Sequence, residues 1–347
     1  MKIAIVTNKM IVGGVEKALL NLLNTDDYLN KTIDLYLLDD KGEWMNKLPN
    51  HVNIIKMRRC SNIFKYIFHR LMMFLCKNNY NKLCYYNSKI LQSYNEIYDQ
   101  VISYHAPGTI PVFYSLYNLK GKNKILYIHG DIVKCGCSND YMKNQYSKYD
   151  SIKCVSKDSY TVFVEQFPCL QSKAMIEYNV LDKNDINSKS LEPFDIFNKN
   201  CFNILTVARL SNEKGIDLAI QTTALLTLTK YIKDFKWYIL GEGEEKSNLL
   251  KLIDETNVGE YISLLGSDDN PYKYMKNCDI YVQPSKHEGY CLTLAEALLL
   301  NKKCICTPFA GSFEQINDNN GKIVEYNAKS LADAIVDEYN QYLVDFN

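Results

Sequence analysis

Short apolar runs alternate with helical patterns along the whole of this chain, and that alternation restricts the fold more than any other feature. Strands are expected near residues 2–7, 32–38, 52–57, 99–104, 124–129, 151–155 and 174–179 in the first half. In the second half they are expected near 202–208, 236–240, 261–265, 279–283, 303–307 and 322–325. Amphipathic or buried helices fall between them, for example at 14–24, 157–167, 214–231 and 292–300. Such alternation predicts parallel sheets covered by helices on both faces. The stretch 181–200 interrupts it. It is polar, contains Pro193 and reads as a linker. The expectation is an α/β chain of two doubly wound, Rossmann-like domains, 1–180 and 201–347, with a cleft between them. A length of 347 residues suffices for two. Ligands of such domains sit beyond the C-terminal ends of the strands.

Charge divides along the same line. Residues 1–180 hold 23 Lys+Arg and 15 Asp+Glu, and residues 181–347 hold 17 and 25. The asymmetry suggests that the first half meets an anionic surface. No uncharged apolar run is long enough to span a bilayer. The N-terminus enters a strand at once, without the regions of a signal peptide, so a cytoplasmic location is expected. The 12 cysteines lack metal or redox spacing, as in Cys135-Gly-Cys137 and Cys304-Ile-Cys306, and read as reduced thiols packed as small hydrophobes.

The run Pro284-Ser-Lys-His-Glu-Gly-Tyr-Cys-Leu-Thr-Leu-Ala-Glu-Ala297 carries the most chemistry. An apolar strand enters a loop with Glu288 and Gly289. A helix opening near Leu292 or Thr293 then carries Glu296. A loop feeding a helix N-terminus offers free N–H groups and the positive end of a dipole, which suits phosphate. Carboxylates on either side suit sugar hydroxyls. Phosphate flanked by two polyols describes a nucleotide-sugar.

These residues resemble the Glu-x7-Glu motif of family 4 retaining glycosyltransferases with the GT-B fold, of the bacterial cell-surface polysaccharide type. Other landmarks follow in order: Lys2-Ile-Ala-Ile-Val-Thr7, Gly13-Gly14-Val-Glu-Lys-Ala18, Tyr127-Ile-His-Gly-Asp131, Cys154-Val-Ser-Lys157, Val207-Ala-Arg-Leu-Ser-Asn-Glu-Lys-Gly215, Gly241-Glu-Gly243, Asn270-Pro-Tyr-Lys-Tyr-Met275, Gly311-Ser-Phe-Glu314 and Asn320-Gly321. The chain departs from the family at its end. A single helix, 329–342, is expected after the last strand, so a crossover back to the first domain would be short or missing.

Arg209 and Lys214 follow a strand and flank a turn. On spacing alone they read equally well as solvated charges. The resemblance implies that they neutralise the donor diphosphate. It further implies that Glu288 bonds the transferred sugar and Glu296 the ribose, with Gly289, Leu292 and Thr293 around the phosphates. The base would lie against the loop after Gly266. Gly13-Gly14 lets a ligand approach closely, or is an ordinary turn; the full Gly-x-Gly-x-x-Gly of nicotinamide enzymes is absent. His129 ends a strand, where a lone histidine is more often structural; the resemblance gives it a contact to the donor sugar. His105 is a second acceptor-side candidate. Asp268-Asp269 lacks the Asp-x-Asp spacing of GT-A enzymes, so no metal and no cofactor are expected.

Between Trp44 and Asn95 there is no acidic residue, but nine Lys+Arg. The segment 56–77 is apolar and aromatic, with Arg58, Arg59, Lys65 and Arg70 around it. It reads either as a core helix with a basic solvent face or as a helix lying in an anionic membrane interface. No nucleic-acid motif accompanies the charge.

The expected function is a metal-independent, retaining hexosyltransferase, peripheral at the inner face of the cell membrane. It would carry sugar from a nucleotide donor, preferably UDP-linked, to a lipid-linked saccharide of a cell-surface polysaccharide or capsule. The alternatives are a GT-B sugar-nucleotide epimerase and a noncatalytic glycosyltransferase-like partner protein.

Overall fold

The computed structural model describes residues 1–60, 63–105 and 107–345, and the chain divides into two compact units, Met1–Val180 and Leu181–Asn347. The first holds strands β1 (Lys2–Thr7), β2 (Thr32–Leu37), β3 (Val52–Lys56), β4 (Ile97–Ser103), β5 (Lys120–Ile128), β6 (Ser151–Cys154) and β7 (Ala174–Ile176). They form one parallel sheet in the order β3-β2-β1-β4-β5-β6-β7. The second unit holds β8 (Phe202–Val207), β9 (Phe235–Leu240), β10 (Ile262–Gly266), β11 (Ile280–Gln283), β12 (Cys304–Cys306) and β13 (Gly321–Ile323). Their parallel order is β10-β9-β8-β11-β12-β13. Each sheet starts at a central strand, builds to one edge, then returns to build the other. Both units are therefore doubly wound, as the alternating pattern predicts.

Side chains of successive strand residues leave opposite faces, and each face of the second sheet has its own core. Ile204, Trp237 and Ile239 pack with Ile216 and Ile220 of helix Ile216–Thr229 and with Leu331 and Ile335 of the last helix, Ala328–Asp345. Their neighbours Leu205, Tyr238 and Leu240 turn the other way, toward Met275, Leu294 and Ala297. Fully burying each such side chain contributes about 1.5–3 kcal/mol. In the first unit Ala4, Val6, Tyr36, Tyr98 and Val101 form one core, and Phe113, Leu126, Ile128, Ile152 and Phe163 another.

The stretch 181–200 is not an extended connection. It holds the helix Lys183–Ser190, which Asp182 caps by accepting the Asp185 N–H at 2.9 Å. Ile186 and Phe197 are buried in the second unit's core, and the Asn270 amide donates to the Lys189 carbonyl at 2.8 Å. One buried apolar residue in an eight-residue polar helix leaves no periodicity to read, which is why the segment looks like a linker in sequence.

Candidate active site

In each sheet the order reverses at one place, between β1 and β4 in the first unit and between β8 and β11 in the second. Ligands of doubly wound sheets sit at that reversal, beyond the C-terminal ends of the strands. The second unit's expected site residues gather around its reversal.

Gly215 makes this possible. Its φ is +66°, and a Cβ there would fall 1.8 Å from the Pro284 carbonyl oxygen. Only glycine permits so close an approach in that conformation. The loop after β8 is then fastened to the loop after β11, where the N–H groups of Lys286 and His287 donate to the Glu213 carbonyl at 2.8 and 3.3 Å. The residue before Gly215 is Lys214, and this closeness sets it against Glu288.

Lys214 Nζ donates to both carboxylate oxygens of Glu288, each at 2.8 Å. The two side chains are 17% and 10% exposed. The Ser285 hydroxyl donates a further bond to Glu288 Oε1 at 2.9 Å. Burial pulls the Lys214 ammonium down, but the Glu288 charge and hydrogen bonds outweigh it, and its pKa rises above the ordinary 10.5. Arg209 lies exposed at the start of the same loop. Burial pushes the Glu213 carboxyl up, yet the Ser211 hydroxyl bond and the charges of Lys214 and Arg209 leave it lower than usual. Lys214 is thus a held cation at the sheet's reversal, and Arg209 is an exposed one on the same loop.

The helix Leu292–Leu299 starts from Cys291, whose φ of +66° is left-handed, and no side chain caps it. A non-glycine residue there costs about 1–2 kcal/mol, a strain typical of functional turns. The turn leaves the N–H groups of the first helical turn, at Leu292 and Thr293, for an anion. Gly289 belongs to the loop just before it. Glu296 is not a helix-surface charge: it is 3% exposed, and the Tyr272 hydroxyl donates to its Oε1 at 3.2 Å.

Gly266 ends β10 with φ +82°, and its carbonyl accepts the Gly241 N–H at 2.7 Å, joining the loops after β9 and β10. Asp268 accepts the Asn270 N–H at 2.8 Å and the Tyr274 hydroxyl at 2.9 Å, and pairs with Lys273 at 3.0 Å. Its carboxylate shapes this turn. Among the described residues, no three His, Cys, Asp or Glu gather as a metal site.

Gly13, Gly14 and His129 belong to the first unit. Gly13 is extended at the start of helix Gly14–Leu23; a Cβ on Gly14 would meet nothing within 4 Å, and one on Gly13 would meet the Glu16 carboxylate. His129 follows β5 with its ring 4.5 Å from that of Tyr104, and its Nε2 has no hydrogen-bond partner among the described residues. Burial, then the nearby His105, pull its pKa down to about 3. His105, 3.3 Å from the Thr7 hydroxyl, is pulled down to about 4 by burial. The neutral form of both rings is thereby favoured.

The sequence reading missed Ser285 and Gln283. Polar Gln283 ends an otherwise apolar strand two residues after Tyr281, so both face the same side. That spacing was the available signal.

Residues 191–341 match the family model described as glycosyl transferases group 1. Over 182 residues the chain is 38% identical to the N-acetylgalactosamine-N,N'-diacetylbacillosaminyl-diphospho-undecaprenol 4-alpha-N-acetylgalactosaminyltransferase of Campylobacter jejuni, covering 52% of this chain and 48% of that one. It is 33% identical over 157 residues to the O-antigen biosynthesis glycosyltransferase WclY of Escherichia coli, covering 44% and 41%. The chain therefore spans about half the length of the curated relatives it matches. Among solved structures, Anabaena Alr3699/HepE in complex with UDP-glucose superposes with a TM-score of 0.70 at 17% identity, over 97% of this chain and 89% of that one. The apo lipopolysaccharide outer core galactosyltransferase WaaB gives 0.66 at 14% identity, over 99% and 91%. Over residues 191–341 the chain is thus similar to the glycosyl transferases group 1 family, and its two units have the GT-B fold of glycosyltransferases.

Proposed function

We propose that the protein is a retaining, metal-independent glycosyltransferase that takes its sugar from a nucleotide donor, preferably UDP-linked. The observation that carries this reading is the Lys214–Glu288 pair beside the uncapped helix at Leu292. It sets a cation for a leaving diphosphate next to a carboxylate for sugar hydroxyls. Arg209 supplies the second cation and Glu296 a carboxylate for the ribose. The acceptor oxygen bonds to the anomeric carbon on the face from which the diphosphate leaves. The carbon–oxygen bond to phosphate breaks, and the acceptor proton passes to the departing diphosphate oxygen. The protein contributes positioning and charge stabilisation. UDP is favoured by the ligands of the HepE structures.

The acceptor we infer is a lipid-linked saccharide at a membrane face, as in the name of the Campylobacter relative. Among the described residues no helix is long and apolar enough to cross a membrane. The helix Ile63–Leu75 instead exposes Phe64, Ile67, Leu71, Phe74 and Leu75, with Phe64 80% and Phe74 70% exposed. The first four recur at intervals of three and four residues and so share a face. Arg58, Arg59, Arg70 and Lys77 are exposed nearby. Ser61, Asn62 and the side chain of Lys65 lie outside the described residues. An apolar stripe rimmed by cations, in a stretch without acids, complements an anionic bilayer.

The test is a thermal-shift series with UDP-, GDP- and ADP-sugars, followed by product analysis with an undecaprenyl-diphosphate-linked saccharide in EDTA. Stabilisation by UDP-sugars and an α-linked product from an α-linked donor are expected. No stabilisation by any nucleotide-sugar, or loss of activity in EDTA restored by magnesium, would overturn the donor site or its metal independence respectively. Turnover of UDP-sugar to its epimer without acceptor would make the protein an epimerase.

A further inference from the structure

Behind Glu288 the polar atoms form a single buried chain. Gln283 Nε2 donates to Ser285 Oγ at 2.8 Å, and Ser285 Oγ donates to Glu288 Oε1 at 2.9 Å. At the far end the Tyr281 hydroxyl donates to Gln283 Oε1 at 2.6 Å, and the Thr293 hydroxyl to the same oxygen at 3.3 Å. Tyr281, Gln283 and Ser285 are fully buried, so solvent does not replace a lost bond.

The chain has one possible direction. An ionised carboxylate only accepts, so the Ser285 proton points at Glu288 and its lone pair must take the Gln283 amide N–H. That fixes the amide: its oxygen faces Tyr281 and Thr293. Thr293 belongs to the first turn of the helix that would hold the phosphates, and Glu288 stands where the sugar would lie. Gln283 touches the helix at Thr293 and, through Ser285, the carboxylate.

We propose that Gln283, acting through Ser285, is a positioning residue for transfer that fixes the Glu288 carboxylate relative to the helix N-terminus. This rests on the transferase reading above. Lys214 holds Glu288 from the loop side, but its flexible stem sets charge rather than orientation. The buried amide sets which carboxylate oxygen is occupied and leaves Oε2 the freer acceptor.

Two variants test this. Wild type and variants are assayed by UDP release from whichever of UDP-glucose, UDP-galactose, UDP-N-acetylglucosamine and UDP-N-acetylgalactosamine the wild type hydrolyses fastest. Calorimetry with bare UDP runs in parallel. Ser285→Ala should lower kcat about 10-fold or more, with KM and UDP affinity changed less than about twofold. Gln283→Glu gives a sharper readout. A protonated carboxyl reproduces the amide, with one oxygen accepting from Tyr281 and Thr293 and an O–H donating to Ser285. Once ionised it cannot donate, and it draws the Ser285 proton away from Glu288. Its activity should approach wild type at low pH and fall as pH rises through the pKa of the introduced carboxyl, a limb the wild type lacks. A pH profile parallel to wild type, or an unchanged kcat in Ser285→Ala, overturns the proposal while leaving the transferase reading intact. If Ser285→Ala melts early, the pH profile of Gln283→Glu decides. A wild type that releases nucleotide from none of these four, nor from GDP- or ADP-sugars, overturns the transferase reading, and this inference with it.

Discussion

Gly215 and Pro284 touch backbone to backbone, so closely that a single methyl group at Gly215 would lie 1.8 Å from the Pro284 oxygen. Two loops whose touching residues are 69 apart in sequence are held together by the absence of a side chain. Gly215→Ala should therefore both strain a left-handed residue and push Lys214 away from Glu288. A loss of about 2 kcal/mol or more is expected, read as a fall of roughly 5 °C in the melting temperature, together with lost activity. An unchanged melt would show that the loops part without cost.

Arg209→Ala and Lys214→Ala should each reduce transfer about 100-fold or more, since each removes a cation from the leaving diphosphate. The Lys214 pKa lies above 10.5, so its paired charge stabilises the fold fully below that pH and is lost only as pH rises through the higher folded value. Near-normal turnover in either variant would remove the diphosphate assignment.

Glu288→Ala should mainly lower kcat, and Glu296→Ala should mainly weaken nucleotide binding. Calorimetry with bare UDP separates the two. If affinity falls for the first and holds for the second, the roles are reversed.

His105 and His129 are held neutral by burial, with pKa values pulled down to about 4 and about 3 from 6.5. Below pH 6.5 the unfolded chain binds protons that the folded one refuses. Stability should therefore fall as pH drops from 6.5 toward those values. His129→Gln, which does not titrate, should flatten that slope in a melting series. A slope as steep as wild type would place the pH sensitivity elsewhere.

The exposed helix Ile63–Leu75 makes a two-part prediction for vesicle sedimentation. Replacing Phe64 and Phe74 together by Ser removes apolar burial of about 1.5–3 kcal/mol each and should weaken binding about 100-fold with its salt dependence intact. Replacing Arg58, Arg59 and Arg70 by Gln removes about 1 kcal/mol per charge and should flatten the salt dependence, because exposed charges reach only about 10 Å at 0.1 M. UDP affinity should not change in either. Equal binding by all three proteins at low salt would rule out this helix as the contact.

The fold was legible because both sheets are parallel. Strands such as Ile3–Val6 and Ile204–Leu205 are buried on both faces and read as unbroken apolar runs. The beginning of β5, Lys120-Gly-Lys-Asn123, was not legible: its residues are largely exposed and, in the sheet, pair with β4 and not with β6. Arg209, Lys214 and Glu288 stood out by motif. Their contact did not, because it depends on the closeness of Gly215 to Pro284 rather than on any residue's own chemistry. Gln283 read as the end of a strand and Ser285 as part of the loop after it. Glu296 was assigned to the ribose by motif, but its burial against Tyr272 was not legible, since nothing in the sequence shows which way Tyr272 points.

The paired state of Lys214 also bears on which molecules the site retains. An anion that draws Lys214 away leaves Glu288 with a buried charge and one hydrogen bond from Ser285. A lone diphosphate offers nothing in return. A donor brings sugar hydroxyls that re-satisfy the carboxylate in the same event. On the proposed reading the pair acts as a coincidence detector for phosphate and sugar on one molecule. A bare nucleotide, lacking those hydroxyls, would be held less well than the donor.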